Sequence, residues 1–248
     1  MRQKVIAFGL MSLLLTVVFE LAFSHFNPVS NPASNEAVEI NRVLKTLLYI
    51  GLPILAIVLS GLALSLVFFH RKTAESGQTI NRTSLPGLEV AWTLIPLFMV
   101  IGISVFGSIM LEKIVKSEPN ELQVNVTASR YLFQFEYPGT GIKSLELVVP
   151  VGQRIHFSLT STDVVHDFWV KEWGPKEDCI PGMTTDLRIT PTEIGNYTIL
   201  CSQLCGPGHT YMTAPVRVLS QADYDAWVAL QLQNATPPPT TSMPGMGP

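Results

Sequence analysis

Residues 201–212 read Cys201-Ser-Gln-Leu-Cys205-Gly-Pro-Gly-His209-Thr-Tyr-Met212. Two thiols, an imidazole and a thioether therefore fall within twelve residues. Thiolate and thioether are soft donors and imidazole is borderline, which is the donor set that copper selects. One Cys, one Met and two His would hold a single copper, so the second Cys is surplus to that need. Two thiolates four residues apart in one loop can bridge the same two metals, and the spacing points to a dinuclear copper site. Two plainer readings compete. Paired cysteines outside the cytoplasm usually form a disulfide, and Cys/His clusters often bind zinc. Zinc sites prefer further Cys or His to Met. Met212, three residues after His209, and the Gly-Pro-Gly turn favour copper.

The segment must be a loop. Gly206, Pro207 and Gly208 interrupt regular structure, and glycine lets a backbone close around a ligand. One more imidazole has to come from elsewhere. Of the five histidines, His166 is the best placed, in Asp163-Val-Val-His166-Asp-Phe-Trp169. There the strand-like run 154–162 ends and a loop is expected to begin. His156 lies inside that run and reads as a packed or solvated strand residue. His25 and His70 flank apolar segments and read as interfacial.

The elements that would position these donors are short strands. Residues 122–127 alternate with period two, and 145–149, 154–160, 185–189, 195–200 and 213–219 are further strand candidates. Turn residues separate them, among them Pro138-Gly139, Gly174-Pro175 and Pro181-Gly182. Many short strands with Gly/Pro turns make a sandwich or barrel. Residues 220–232 read as a closing helix, capped by Ser220, with Tyr224, Trp227 and Val228 on one face. Residues 233–248 are rich in Pro, Thr and Met and read as a flexible tail. Met243 and Met246 are too few to mark a metal site.

Composition adds a second region. The chain is 47 % hydrophobic and 14 % charged, too apolar for an ordinary water-soluble domain. Residues 47–69 and 92–111 carry no charge and are each long enough to span a bilayer. Pro53 and Pro96 within them are tolerated in membrane helices. Arg71, Lys72 and Arg82 lie between the two runs, which puts residues 70–91 on the cytoplasmic side and the strand-rich region outside. Residues 1–26 form a third apolar run behind Arg2 and Lys4. They read either as a signal peptide, with Ala22-Phe-Ser24 as cleavage motif, or as a retained helix with its amino end inside. The second reading agrees with the orientation of the following spans and is preferred. A net charge of −3 argues against nucleic acid as a partner.

The pattern Cys-Ser-x-x-Cys-Gly-x-x-His-x-x-Met, with Asp-Val-x-His upstream, resembles the copper A site of subunit II of haem–copper cytochrome oxidases. Leu88-Glu89-Val-Ala-Trp92-Thr93-Leu-Ile95-Pro96 resembles the start of that family's second membrane helix. Lys176-Glu-Asp178-Cys-Ile180-Pro181-Gly182 resembles its Lys-x-Asp-x-x-Pro-Gly segment. The likeness runs in order over residues 41–227.

The resemblance implies N-terminal transmembrane helices, a hairpin over 41–115 with one extra helix at 1–26, followed by an all-β cupredoxin-like sandwich over 120–232 and the tail 233–248. It implies Cys201 and Cys205 as bridging thiolates, His166 and His209 as imidazole donors, and Met212 and the Gln203 carbonyl as weak ligands. It implies an electron relay in a bacterial plasma membrane, a mitochondrial inner membrane being the less favoured setting. The donor would be a cytochrome c or a dedicated donor complex, because this chain has no Cys-x-x-Cys-His for a covalent haem. The acceptor would be haem in subunit I, where oxygen is reduced to water. Glu89 would lie at a proton-uptake mouth; its plainer reading is a favourable acid at a helix start.

Three positions depart from the pattern. Gln203 replaces a usual Glu, keeping the carbonyl for copper but losing a carboxylate that helps bind magnesium at the subunit boundary, so magnesium is left open. Tyr131 stands where a donor-docking Trp is usual; alternatively Tyr131, Phe133 and Phe135 are one face of a strand. Met183 stands where Arg is common. Cys179 reads as a packed free thiol. Two further function classes fit parts of the pattern: a membrane-anchored copper carrier, and a quinol-oxidase subunit II that has lost copper. A closed ligand set argues against the first and the full set of side-chain donors against the second.

Overall fold

A computed structural model describes residues 2–26, 28–68 and 86–235. The expected cytoplasmic loop, with His70, and the Pro-rich tail fall largely or wholly outside the described residues. The chain divides into two compact units, one of residues 1–28 and 41–113 and one of residues 29–40 and 114–248.

The first unit is helical. Helix α1 spans Arg2–Phe23, α2 spans Asn35–Phe68, and α3 spans Pro86–Val115. Among the described residues these three are long and apolar enough to cross a membrane. Pro53 and Pro96 sit inside α2 and α3 without ending them. Most of their large apolar side chains point outward, which is a surface suited to lipid rather than to water. Helix α1 lies along α2, with Phe8 next to Gly61 and the Lys4 ammonium over the Phe68 ring at 5.4 Å.

The second unit is a β-sandwich. Its strands are β1 (Leu122–Ser129), β2 (Leu132–Tyr137), β3 (Ile142–Ser144), β4 (Leu147–Pro150), β5 (Ile155–Ser161), β6 (His166–Val170), β7 (Lys176–Cys179), β8 (Thr185–Ile189), β9 (Gly195–Leu200) and β10 (Thr213–Leu219). Among the described residues they form two sheets, ordered β3-β2-β1-β5-β8 and β4-β10-β9-β6-β7. β1 pairs parallel to β5 and β4 parallel to β10; the other pairs are antiparallel. Period-two alternation turns Val124, Val126, Phe133, Phe135, Phe157 and Leu159 inward from one sheet, against Phe168, Val170, Ile199, Val216 and Val218 of the other. The Phe157 and Phe168 rings meet at 5.1 Å. The Tyr137 hydroxyl donates to the Val148 carbonyl and accepts from the Val148 N–H, both at 2.8 Å, which ties one sheet to the other. Helix α4 (Gln221–Ala235) closes the sandwich. The Ser220 hydroxyl accepts from the Asp223 N–H at its first turn, and Trp227 packs on Tyr137.

The expected order of apolar helices and β-sandwich is the observed one. Two local readings need correction. His166 does not end a strand; it opens β6, after the chain has crossed from one sheet to the other. Phe133 and Phe135 share the inward face of β2, but Tyr131 precedes that strand and lies outside the core.

The beginning of α2 belongs to the sandwich unit. The Ser34 hydroxyl caps the helix by accepting from the Ala37 N–H and donates to the Trp173 carbonyl at 2.8 Å. Glu36 is buried, pairs with Arg154 at 2.9 Å and accepts from the Thr190 N–H. Arg154 also donates to the carbonyls of Ile114 and Lys116 and pairs with Glu121. Gly174, at φ +88°, lets the chain pass Ala37: a Cβ there would lie 3.0 Å from the Ala37 Cα.

Candidate metal centre

Antiparallel pairing of β9 with β10 brings Leu200 opposite Thr213. Residues 201–212 therefore close a hairpin end, and the Cys201 N–H donates to the Met212 carbonyl at 3.1 Å. Within it the His209 N–H donates to the Gly206 carbonyl at 3.0 Å, and residues His209–Tyr211 form a single 3-10 turn. On its other side β9 pairs with β6, Leu200 opposite Trp169. This neighbour relation brings His166 to the loop from 35 residues away.

The sulfur atoms of Cys201 and Cys205 lie 3.8 Å apart, and both thiols are free and buried. His166 Nδ1 is 4.0 Å from Cys201 Sγ, and His209 Nδ1 is 3.7 Å from Cys205 Sγ. Met212 Sδ is 3.9 Å from Cys205 Sγ. The Gln203 carbonyl is 3.3 Å from Cys201 Sγ. The ligand atoms of His166, Cys201 and Cys205 all lie within 4.8 Å of one another. Donors about 2.0–2.3 Å from a tetrahedral metal sit roughly 3.6 Å apart, so the neighbouring donor pairs, at 3.7 to 4.0 Å, lie close to the spacing a metal needs. All six residues named from the sequence are together; the structure does not bring Glu89 to them. Glu89 is in the first turn of α3, in the other unit.

Neighbours fix the donors. The His166 ring is fully buried, and its Nε2–H donates to Asp163 Oδ1 at 2.8 Å. A carboxylate only accepts, so the proton sits on Nε2 and the lone pair of Nδ1 faces the sulfurs. Asp163 is held in turn by the Arg130 N–H at 2.9 Å and the Arg130 guanidinium at 3.3 Å. Desolvation is the largest single influence and raises its pKa, but donation from His166, Arg130 and Val164 together outweighs it and keeps the carboxyl well below the usual carboxylate range. Asp167, next in the chain, accepts from the Ser202 hydroxyl at 2.6 Å and steadies the loop beside Cys201. Its own burial raises its pKa.

Burial pushes the Cys205 thiol up to about 11, with the Cys201 sulfur adding to the effect. The Cys205 thiol so placed resists ionisation, and a bound cation would reverse that balance. Cys179, opposite His166 in the β6–β7 register, is pushed up to about 12 by burial, with Asp167 and Cys201 adding. It is an inert packed thiol.

Tyr131 lies across the loop. A Cβ at Gly206 would come 2.7 Å from the Tyr131 hydroxyl, and one at Gly208 2.7 Å from the ring. Glycine at both positions therefore makes room for this aromatic. Gln203 borders a hollow of 340 Å³ that it shares with Asp167, Lys176, Glu177 and Asp178. The roles of Asp163, Arg130 and Ser202 went unread in the sequence. The signal for the first was an Asp three residues before His166.

Two family profiles match in chain order. One described as the transmembrane domain of cytochrome c oxidase subunit II matches residues 6–110, and one described as its periplasmic domain matches residues 144–219. The chain belongs to the cytochrome c oxidase subunit II family. It is 25 % identical over 272 aligned positions to cytochrome c oxidase subunit 2 of Thermostichus vulcanus, covering 88 % of this chain and 83 % of that one. It is 34 % identical to the subunit 2 of Bacillus sp. strain PS3 over 62 % of this chain, and there it spans about half of the relative, 47 %. Among solved structures, the periplasmic domain of subunit II (CoxB) of Bradyrhizobium japonicum covers 46 % of this chain at 25 % identity with a TM-score of 0.44. As a family member with three membrane-length helices, the protein is membrane-anchored.

Proposed function

We propose that this chain is the electron-accepting subunit of a respiratory haem–copper oxidase in a bacterial plasma membrane, with its sandwich outside. The observation that carries the reading is the convergence of His166, Cys201, Cys205, His209 and Met212 side chains in one cluster, all but His209 buried. Cys201 and Cys205 would bridge, His166 and His209 would each present Nδ1, and Met212 and the Gln203 carbonyl would complete the set. A dinuclear copper centre held by these residues would supply reversible one-electron transfer.

The chain's own residues supply the rest. Asp163 keeps the His166 proton on Nε2 and the ring in one orientation. Asp167 and Ser202 hold the loop beside Cys201. The sandwich keeps donor spacing fixed, which lowers the cost of moving an electron through the site. Electrons would come from a c-type cytochrome or another donor at Tyr131, and leave for haem in the larger subunit, where oxygen becomes water. Glu89 would serve proton uptake. Glu89→Gln should then slow proton-coupled turnover at full copper content, and unchanged turnover removes that role. A magnesium site is not part of the reading, because Gln203 offers an amide where a carboxylate would be needed.

The test is metal counting and electron paramagnetic resonance on the purified full chain. Two coppers per chain with a mixed-valence signal are expected. One copper, or a signal from isolated ions, sinks the reading.

A further inference from the structure

Helices α1 and α2 run antiparallel, and a hollow lies where α1 begins and α2 stops. Phe8 is next to Gly61 there, and beyond it the Lys4 ammonium stands 5.4 Å over the Phe68 ring. The hollow has a volume of 290 Å³ between Val5 and Phe8 on one helix and Gly61, Leu64 and Phe68 on the other, and Lys4 is the one charged residue in its lining. Glycine at 61 keeps it open: a Cβ there would meet only the Phe8 ring, at 3.6 Å. Val5 and Phe68 are exposed at 65 % and 43 %. Both walls belong to the same compact unit. The first turn of α1 also carries Arg2, and no Asp or Glu occurs in residues 1–19 or 40–74.

From this we infer that the hollow binds one anionic phospholipid of the cytoplasmic leaflet, with the lipid phosphate at Lys4 and an acyl chain along Val5, Phe8, Gly61 and Leu64. The inference rests on the proposed orientation, with the sandwich outside, which puts the start of α1 and the end of α2 at the cytoplasmic surface. A groove that is apolar along its length and cationic at its end matches a molecule divided in the same way. A membrane helix seated there would fill the apolar part but would need an acid of its own to cover the ammonium. A long cationic side chain near a helix end reaches headgroup depth. Basic pockets between membrane helices on the cytoplasmic side take anionic headgroups, and one Lys at that depth strengthens such binding about fivefold.

The experiment is native mass spectrometry of the purified full chain in non-ionic detergent, titrated with phosphatidylglycerol or with phosphatidylcholine of the same acyl chains. One phosphatidylglycerol should bind per chain, about fivefold more tightly than phosphatidylcholine. Lys4→Gln should cut that preference to less than about twofold, and Lys113→Gln, in the last turn of α3, should keep it. Gly61→Val, which puts two methyl groups into the hollow, should weaken both lipids alike. Equal binding of the two lipids, or a preference untouched by Lys4→Gln, overturns the inference. So does an equal loss in Lys113→Gln, which would show diffuse attraction rather than a site. A photo-crosslinking group at Val5 should capture lipid in the assembled oxidase; capture of another subunit or of a second copy of this chain overturns it. A chain mass lacking residues 1–24 overturns it too, because one wall of the hollow is then gone. The orientation is read separately: Gln3→Cys modified by a membrane-impermeant maleimide in intact cells, above the unsubstituted chain, would put the amino end outside and defeat the proposed orientation itself. The mixed-valence test of the copper reading is independent of all of these.

Discussion

Consecutive strands of the sandwich each carry a histidine clasped by an aspartate, and the two have opposite fates. On β5, His156 faces outward and uses both ring nitrogens: Nδ1 lies 2.6 Å from Gln123 Oε1 and Nε2 2.5 Å from Asp186 Oδ1. On β6, His166 is fully buried, gives one nitrogen to Asp163 and turns the other to two sulfurs. An aspartate partner alone does not make a metal ligand. What would qualify His166 as one is a second nitrogen left with its lone pair facing soft donors. His156 is satisfied twice by side chains at the water surface and has nothing to offer a metal.

The largest test of this contrast is to remove each ring. His166→Ala should abolish the mixed-valence signal and leave less than about a tenth of the copper bound, because a ligand and its held orientation go together. His156→Ala should leave copper content unchanged. Equal losses in both would erase the distinction, and metal analysis of the two purified chains decides it.

Acidity sharpens the comparison next. Cys205 holds its proton up to about pH 11 without metal. Copper must displace that proton, so apparent affinity should rise with pH by about tenfold per unit for this proton, and fall as pH drops. A competition titration with a chelator at several pH values measures the slope. A flat profile would mean that Cys205 is not bound as thiolate.

Asp163→Asn comes third. The amide keeps the shape but offers either a donor or a weaker acceptor to His166, so copper affinity should fall by about 10- to 100-fold. The reduction potential should shift with it, because a less basic imidazole donates less to the metal. The smallest effect belongs to the outer pair. Asp186→Asn removes the charge from a half-exposed contact to His156, and unfolding midpoints should register less than about 0.5 kcal/mol.

Much of the site was legible because it is local. Four of five side-chain donors sit in residues 201–212, and their types are chemistry in themselves. His166 was readable as a candidate from its motif, but its position was misread. A strand that switches sheets leaves no local mark: residues 162–165 carry the crossing and look like any loop. Strand β7, Lys-Glu-Asp-Cys, was not expected either. Its residues have low strand propensity, and it exists because β6 offers it a partner. The alternation in β1 and β5 was plain, since one face of each is in the core. Least legible was the Glu36–Arg154 pair, which joins residues 118 apart. Nothing in either neighbourhood announces the other.

That pair changes what counts as the sandwich unit. The sandwich is not one continuous stretch of the gene. Its Arg154 and Trp173 carbonyl are partnered by residues 34–36, upstream of two apolar helices. A soluble fragment cut to begin at residue 114 would leave Arg154 with Glu121 alone as its carboxylate partner and would strip the Trp173 carbonyl of its donor, and its unfolding midpoint should fall accordingly. Grafting residues 29–40 back through a short linker should restore it, so the water-soluble half of this protein is best excised in two pieces.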